Sequence, residues 1–117
     1  MKKGVYTWLD GRKYEGEFKD NFKYGYGIYE WGDGRKYEGY YKFDKKHGFG
    51  KYSWVDGRKY IGYWENGKQH GYGKYYLKDG TMKIGVWVSG KRIKWLNQNE
   101  LTEIKDDEKI QNILKEN

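Results

Sequence analysis

The feature that most constrains this chain is a repeat with a fixed period of 23 residues. One unit runs from Tyr14 to Lys36, the next from Tyr37 to Lys59, and a third from Tyr60 to Met82. The segment Gly4 to Lys13 matches the last ten positions of a unit, and Lys83 to Arg92 matches the first ten. A regular period of this length marks an array of small units that bury a core only by stacking on their neighbours. The pattern fails where Lys94 and Leu96 stand in place of the paired glycines Gly25/Gly27, Gly48/Gly50 and Gly71/Gly73. The array is therefore expected over 1–96, about four repeats with partial units at both ends, and 97–117 is expected to be a helical tail or cap.

Within a unit the periodicity is that of strands. Tyr37, Gly39 and Tyr41 alternate with Glu38, Tyr40 and Lys42, while Gly48, Gly50, Tyr52 and Trp54 alternate with Phe49, Lys51 and Ser53. Between units stand Asp10-Gly11, Asp33-Gly34, Asp56-Gly57 and Asp79-Gly80, the dipeptide that supplies positive φ for a tight turn. The expected fold is an all-β repeat, an extended single-layered antiparallel meander of hairpins with a short α-helical tail. Gly48 and Gly50 share a face with Tyr52 and Trp54, so their missing side chains are expected to leave slots for Tyr37 and Tyr41 of the neighbouring strand. The structural repeat positions by this reading are Tyr14, Gly16, Gly25, Gly27, Tyr37, Gly39, Gly48, Gly50, Trp54, Tyr60, Gly62, Trp64, Gly71 and Gly73.

Composition agrees with such a core. The hydrophobic fraction is 36% and the net charge +7, so aliphatic packing alone is thin, but the chain has 14 Tyr, 6 Trp and 4 Phe. Aromatic rings bury large areas while keeping a polar tip in reach of water. There is no cysteine, no apolar run of signal-peptide type at the start, and no stretch of the roughly 20 apolar residues that a spanning helix needs. A reducing, cytoplasmic location is the expectation.

The stretches "YEGEF", "HGFGKYSW" and "DGRKYEGYY" together resemble the MORN (membrane occupation and recognition nexus) repeat, whose pattern is close to Tyr-x-Gly-x-Trp, then Gly-Lys-x-His-Gly-x-Gly, then Asp-Gly. The resemblance covers residues 4 to about 93. It departs locally in the first full unit, where Phe22-Lys23-Tyr24 replaces Gly-Lys-x-His and Phe18 ends the Tyr-x-Gly-x-Trp segment. The resemblance implies a single-layered β array that serves as a scaffold or interaction module, at cytoskeletal structures including cilia and flagella, at membrane junctions, or appended to lipid kinases and methyltransferases. No such catalytic domain is present in this sequence.

The tail changes character. Residues 1–96 carry 21 basic and 11 acidic side chains, whereas 97–117 carry 3 and 6 and have neither aromatics nor glycine. Asn97 followed by Glu100 matches a capping box. On one continuous helix Leu101/Ile104 and Ile110/Ile113/Leu114 fall on nearly opposite faces, so a break is expected near Asp106-Asp107, with one of them capping a second short helix. Either these helices cover the open end of the sheet and block edge-to-edge pairing, or Ile110, Ile113 and Leu114 form a docking stripe for a partner.

No catalytic constellation stands out. His47 and His70 occupy one repeat position, roughly 10 Å apart across two strands, too far for one metal, and are expected to be structural. Glu15 and Glu38 are expected to pair with nearby Lys or Arg. The Gly-x-Gly pairs have no following helix, so they are not nucleotide fingerprints. The expectation is no enzyme, no cofactor and no metal. Two surfaces remain. Arg12-Lys13, Arg35-Lys36 and Arg58-Lys59 follow successive turns and line one edge at intervals of roughly 10 Å, while Lys45, Lys46, Lys68, Lys91 and Arg92 cluster at the opposite hairpin ends. Such charge solvates turns, or it makes a footprint for anionic lipid headgroups, phosphoinositides above all, or for an acidic protein surface. Nucleic acid is disfavoured because the aromatics recur where packing explains them. The second surface is Tyr40, Phe49, Tyr63 and Tyr72, on the face opposite the glycines, a Tyr-rich patch suited to protein partners. Gly4 to Trp8 is the second half of a hairpin, and its edge is a place for self-association or sheet extension. The favoured reading is a non-catalytic scaffold or protein-interaction module of a cytoskeletal or ciliary (axonemal) assembly. The alternative is a peripheral phosphoinositide-binding module.

Overall fold

The computed structural model describes residues 1–116. Nine strands follow one another as β1 (Lys2–Thr7), β2 (Lys13–Lys19), β3 (Phe22–Glu30), β4 (Lys36–Lys42), β5 (Lys45–Ser53), β6 (Lys59–Glu65), β7 (Lys68–Tyr76), β8 (Met82–Val88) and β9 (Lys91–Trp95). They form one open antiparallel meander in sequence order. Among the described residues two helices follow the sheet, α1 (Gln98–Glu103) and α2 (Glu108–Lys115). The body measures 47 × 30 × 23 Å.

Two kinds of turn alternate along the sheet. Within a unit, two residues with positive φ close the hairpin: Asp20-Asn21, Phe43-Asp44, Asn66-Gly67 and Ser89-Gly90. Positive φ at both central positions gives the turn whose twist matches the flanking strands. Between units the loop has three residues. Trp54 donates its N–H to the Arg58 carbonyl at 2.9 Å, and Gly57 donates to the Trp54 carbonyl. Here only the glycine takes positive φ, while the aspartate accepts the backbone N–H two residues on, as Asp56 does from Arg58 at 3.2 Å.

The repeated glycines divide into two roles, which corrects the expectation that both Gly48 and Gly50 are slots. Gly39 faces Gly50 across β4 and β5, but the next pair is Tyr41 with Lys46, so His47, Gly48 and Phe49 bulge opposite Tyr40. Gly48 has φ +80° and supplies the backbone turn of that bulge. Gly50 is the slot: a Cβ there would stand 2.6 Å from the Tyr37 ring carbons. The Tyr37 ring occupies the gap, and its hydroxyl donates to the Tyr40 carbonyl at 2.8 Å, beside the bulge. The same geometry recurs with Tyr14 over Gly27, donating to the Glu17 carbonyl at 2.9 Å, and with Tyr60 over Gly73, donating to the Tyr63 carbonyl at 2.9 Å.

Tyr14, Tyr37 and Tyr60 are fully buried. Around them the rings of Tyr29, Tyr41, Trp64 and Trp87 complete one aromatic core along a single face of the sheet, with Trp8, Phe18, Trp31, Tyr52, Trp54, Tyr75 and Trp95 at its margin. Most contacts are edge-to-face, such as Tyr37 to Trp64 at 5.5 Å and 89°, the arrangement ring quadrupoles favour.

The tail folds as two capped helices. Asn97 and Glu100 form a reciprocal capping box on α1, and the Asp107 side chain accepts from the Lys109 and Ile110 N–H groups to start α2. The expected break at Asp106-Asp107 is present. The position of the helices differs from expectation. They do not cover the edge; Ile110 and Ile113 are buried on the sheet's second face, against Ile84, Phe49, Tyr63 and Tyr72, with Leu96, Leu101 and Ile104 around them. The reason is area: that face offers apolar side chains from four strands, whereas an edge offers only backbone groups.

Candidate interaction surfaces

The two faces and the two long edges of the sheet carry different chemistry. On the edge formed by the between-unit turns, each arginine is already engaged. Arg12, Arg35 and Arg58 pair with Asp10, Asp33 and Asp56 at 2.9, 2.8 and 2.9 Å. Each guanidinium also stands over the tryptophan that opens its own loop, Trp8, Trp31 or Trp54, at 4.9, 5.2 and 5.1 Å. The bond to Arg12 holds Asp10 below the usual carboxylate range, Arg58 does the same to Asp56, and for Asp33 the backbone N–H of Arg35 contributes most. Of the neighbouring lysines, Lys36 lies 3.6 Å from Glu38, and Lys59 sits over the Tyr76 ring. Each of these arginines thus has a carboxylate beside it.

At the opposite edge Lys46 departs from the cluster of surface lysines. Its Nζ turns inward, 5.5 Å from the rings of Trp31, Tyr37 and Trp64 and 5.7 Å from that of Tyr52. Desolvation lowers its pKa, with further lowering from Lys23 and Arg35. Lys23, one unit earlier, stands 5.6 to 5.8 Å from Tyr14, Tyr29 and Tyr41 and also 3.4 Å from Asp44. Reading residues singly misses these ring-caged ammonium groups. The signal was present in the period: Lys23, Lys46 and Arg92 share the tenth position of their units, but the bulge between that position and the slot glycine hides which way it points.

The second face is half covered. Phe49, Tyr63 and Tyr72 pack against α2, and Tyr63 is further held by the Asn112 amide at 3.0 Å and by Lys109 over its ring at 5.2 Å. Ile110 and Ile113 are part of this packing, so they do not form an exposed stripe, and only Leu114 of that trio is exposed. Lys74, almost fully buried, donates to the Glu116 carbonyl at the end of α2. The rest of the face is open. Tyr26 and Tyr40 are 45% and 49% exposed, their ring centroids 5.4 Å apart. They stand at one side of a cavity of about 290 Å³ lined also by Glu38, Phe49, Lys51, Ile61 and Glu116. Burial, aided by the Glu38 carboxylate, raises the pKa of the Tyr26 hydroxyl.

The histidines are not equivalent. His70 accepts the Ser89 N–H at Nδ1, 3.1 Å away, and its Nε2 lies 3.2 Å from Glu65. An accepting Nδ1 places the proton on Nε2, where it donates to the carboxylate. His47 lies at the rim of two shallow depressions beside Lys42. Among the described residues no group of three or more His, Cys, Asp or Glu could hold a metal ion, and no helix is long and apolar enough to cross a membrane.

Comparison with known proteins agrees with the repeat geometry. The family model for the MORN repeat matches residues 14–34, 37–57 and 60–82. No curated protein matches the chain significantly.

Proposed function

The chain belongs to the MORN-repeat family, and from that premise we propose that it is a non-catalytic scaffold that joins proteins within a cytoskeletal or ciliary (axonemal) assembly on the cytoplasmic side. MORN repeats are generally modules for protein or membrane interaction. The observation that carries the protein reading is the uncovered half of the helix-bearing face. Tyr26 and Tyr40 project there beside the 290 Å³ cavity, and paired tyrosines next to a concave site are what protein interfaces concentrate at their centres. Phe49, Tyr63 and Tyr72 of that face are occupied by α2, which centres the contact surface on β3, β4 and β5.

The phosphoinositide reading draws less support. A phosphate at the turn edge must compete with Asp10, Asp33 and Asp56 for arginines that those carboxylates and the tryptophans already hold. Affinity capture from cell extract tests the proposal, with washes at physiological and several-fold higher salt. Defined structural proteins should survive both washes on the unaltered chain and be lost from a Tyr26→Ala/Tyr40→Ala variant. Retention of only acidic lipid, confined to the low-salt wash, would overturn the scaffold reading in favour of the membrane one.

A further inference from the structure

The seat of α2 recurs one unit earlier on the same face, and it stands open there. Against α2 lie Phe49, Tyr63, Tyr72 and Ile84, and 23 residues before each of them stand Tyr26, Tyr40, Phe49 and Ile61. These four line the cavity of about 290 Å³. The likeness extends to geometry. The ring centroids of Tyr26 and Tyr40 are 5.4 Å apart at 64°, and those of Phe49 and Tyr63 are 5.4 Å apart at 63°. Lys74, which donates to the Glu116 carbonyl at the end of α2, has its counterpart in Lys51 at the cavity wall. Phe49 belongs to both seats, so the cavity is continuous with surface that α2 already covers.

The spacing suits a second helix. The Asn112 amide meets Tyr63 and the Glu116 carbonyl meets Lys74, and Lys74 pairs with Ile61, two residues along β6 from Tyr63. From Asn112 to Glu116, α2 thus advances along the strands, so a helix in the neighbouring seat would lie beside it. One unit is two strands, roughly 10 Å across, and helices pack side by side at about 8–10 Å. One position changes character. Glu38 lines the cavity where the next unit has Ile61, which is fully buried. A carboxylate there disfavours a wholly apolar occupant and favours one that brings a hydrogen-bond donor.

We propose that this open seat binds a short amphipathic helix of a partner protein, which presents two aliphatic side chains three residues apart as α2 presents Ile110 and Ile113. The occupant is argued from α2 itself. The repeated seat buries that pair completely, Ile110 at 1% and Ile113 at 0% exposure, and the open seat offers the same aromatic and aliphatic lining. Glu38 adds a requirement that α2 does not face: a Lys, Arg, Asn or Gln beside the aliphatic pair would meet its carboxylate. A second copy of the chain is a poor source of the helix. Its α2 already covers its own sheet, and withdrawing it would return Ile110, Ile113 and Ile84 to water. That the helix belongs to a partner protein rests on the reading of the chain as a protein-interaction module with Tyr26 and Tyr40 at its contact surface.

The test is an NMR titration of the full chain with a helix-stapled peptide of residues 106–116, its staple joining positions 111 and 115, which are exposed in α2. Saturable shifts at Tyr26 and Tyr40 are expected, with nuclear Overhauser contacts from the peptide isoleucine methyls to both rings. Ile110→Ala/Ile113→Ala in the peptide and Tyr26→Ala/Tyr40→Ala in the chain should each weaken binding roughly tenfold or more. Glu38→Ile gives the open seat the residue of its neighbour and should tighten binding of this peptide by about fivefold. The next unit carries isoleucine at this position, so the sheet accommodates the change. No saturable shift, or equal binding of the alanine peptide, would overturn the seat. Contacts to Ile84 and Tyr72 in place of Tyr26 and Tyr40 would also overturn it, because the peptide would then have replaced α2. The same shifts on concentrating the chain alone, with a doubled mass in sedimentation, would make a second copy the occupant and overturn the partner. In affinity capture from extract, the peptide should release the retained structural proteins and its alanine form should not. Proteins retained despite saturating peptide would overturn the helical occupant while the scaffold proposal stands. A seated peptide with no structural protein captured would overturn the scaffold proposal and support the seat.

Discussion

The ring of Tyr37 occupies the space above Gly50 that a side chain at residue 50 would need, with ring carbons 2.6 Å from where a Cβ would stand. This contact joins β4 to β5, and its counterparts join β2 to β3 and β6 to β7. It converts a glycine, ordinarily weakening in a strand, into the seat of the largest fully buried side chain of each unit.

Gly50→Ala is therefore expected to destabilise the sheet by about 1–3 kcal/mol or more through overpacking. The Tyr37 hydroxyl must also leave the Tyr40 carbonyl, at a further cost of about 1 kcal/mol. Chemical denaturation checks this, and a cycle with Tyr37→Ala isolates the contact: once the ring is gone, the Gly50→Ala penalty should largely vanish. An undiminished penalty would place the strain elsewhere.

Gly57 separates the two uses of glycine. Nothing lies within 4 Å of a Cβ built there, but its φ is +97°. Gly57→Ala should cost about 1–2 kcal/mol from backbone strain alone, and removing a neighbouring aromatic should not relieve it. The same denaturation series reads both variants.

Ile113 is fully buried between α2 and the sheet. Ile113→Ala removes packing of about 2–5 kcal/mol, and because only the tail depends on it, hydrogen exchange should rise over α1 and α2 while the strands β2 to β6 keep their protection. Exchange rising equally throughout the sheet would show that the helices are integral to it.

Alkaline titration should be steep. Burial, reinforced by Glu17 and Asp44, raises the Tyr14 hydroxyl from 10.0 to about 12, and burial raises Tyr37, Tyr41 and Tyr60 further. Their folded pKa values lie above the unfolded value of about 10, so the stabilisation is complete below that pH and is lost as pH climbs from about 10 through about 12 and beyond. Circular dichroism and tyrosinate absorbance should change together in that window. Tyrosine ionisation near its ordinary pH with the sheet intact would contradict the burial.

Arg58→Gln should leave the melting temperature nearly unchanged, since exposed ion pairs contribute little. Vesicles containing phosphoinositide should bind the unaltered chain weakly and release it as salt rises, with no further loss in the variant. A marked drop on Arg58→Gln would show that lipid phosphate displaces Asp56, and would restore the turn edge as a working surface.

The period of 23 residues determined the strand order by itself, because units that repeat at one spacing and are joined by tight turns can only lie side by side. Residue chemistry at fixed positions also placed one helix start at Asn97 and a second at Asp106 or Asp107, of which the structure uses Asp107, since capping depends on neighbours within one turn. Other features were decided only by tertiary structure. The bulge at His47 to Phe49 sends Gly48 to the backbone and Gly50 to the ring, a division that strict alternation cannot express. Arg35 and Lys46 look alike in sequence as cations near a turn, but one meets an aspartate two residues away and the other meets four rings brought together from β4, β5, β6 and the preceding loop. Ile110 and Ile113 could have faced a partner or the sheet, and the choice rested on how much apolar area Phe49, Tyr63, Tyr72 and Ile84 present together. Local signals fix what a short segment does with its own backbone; where a side chain goes depends on surfaces assembled from distant strands.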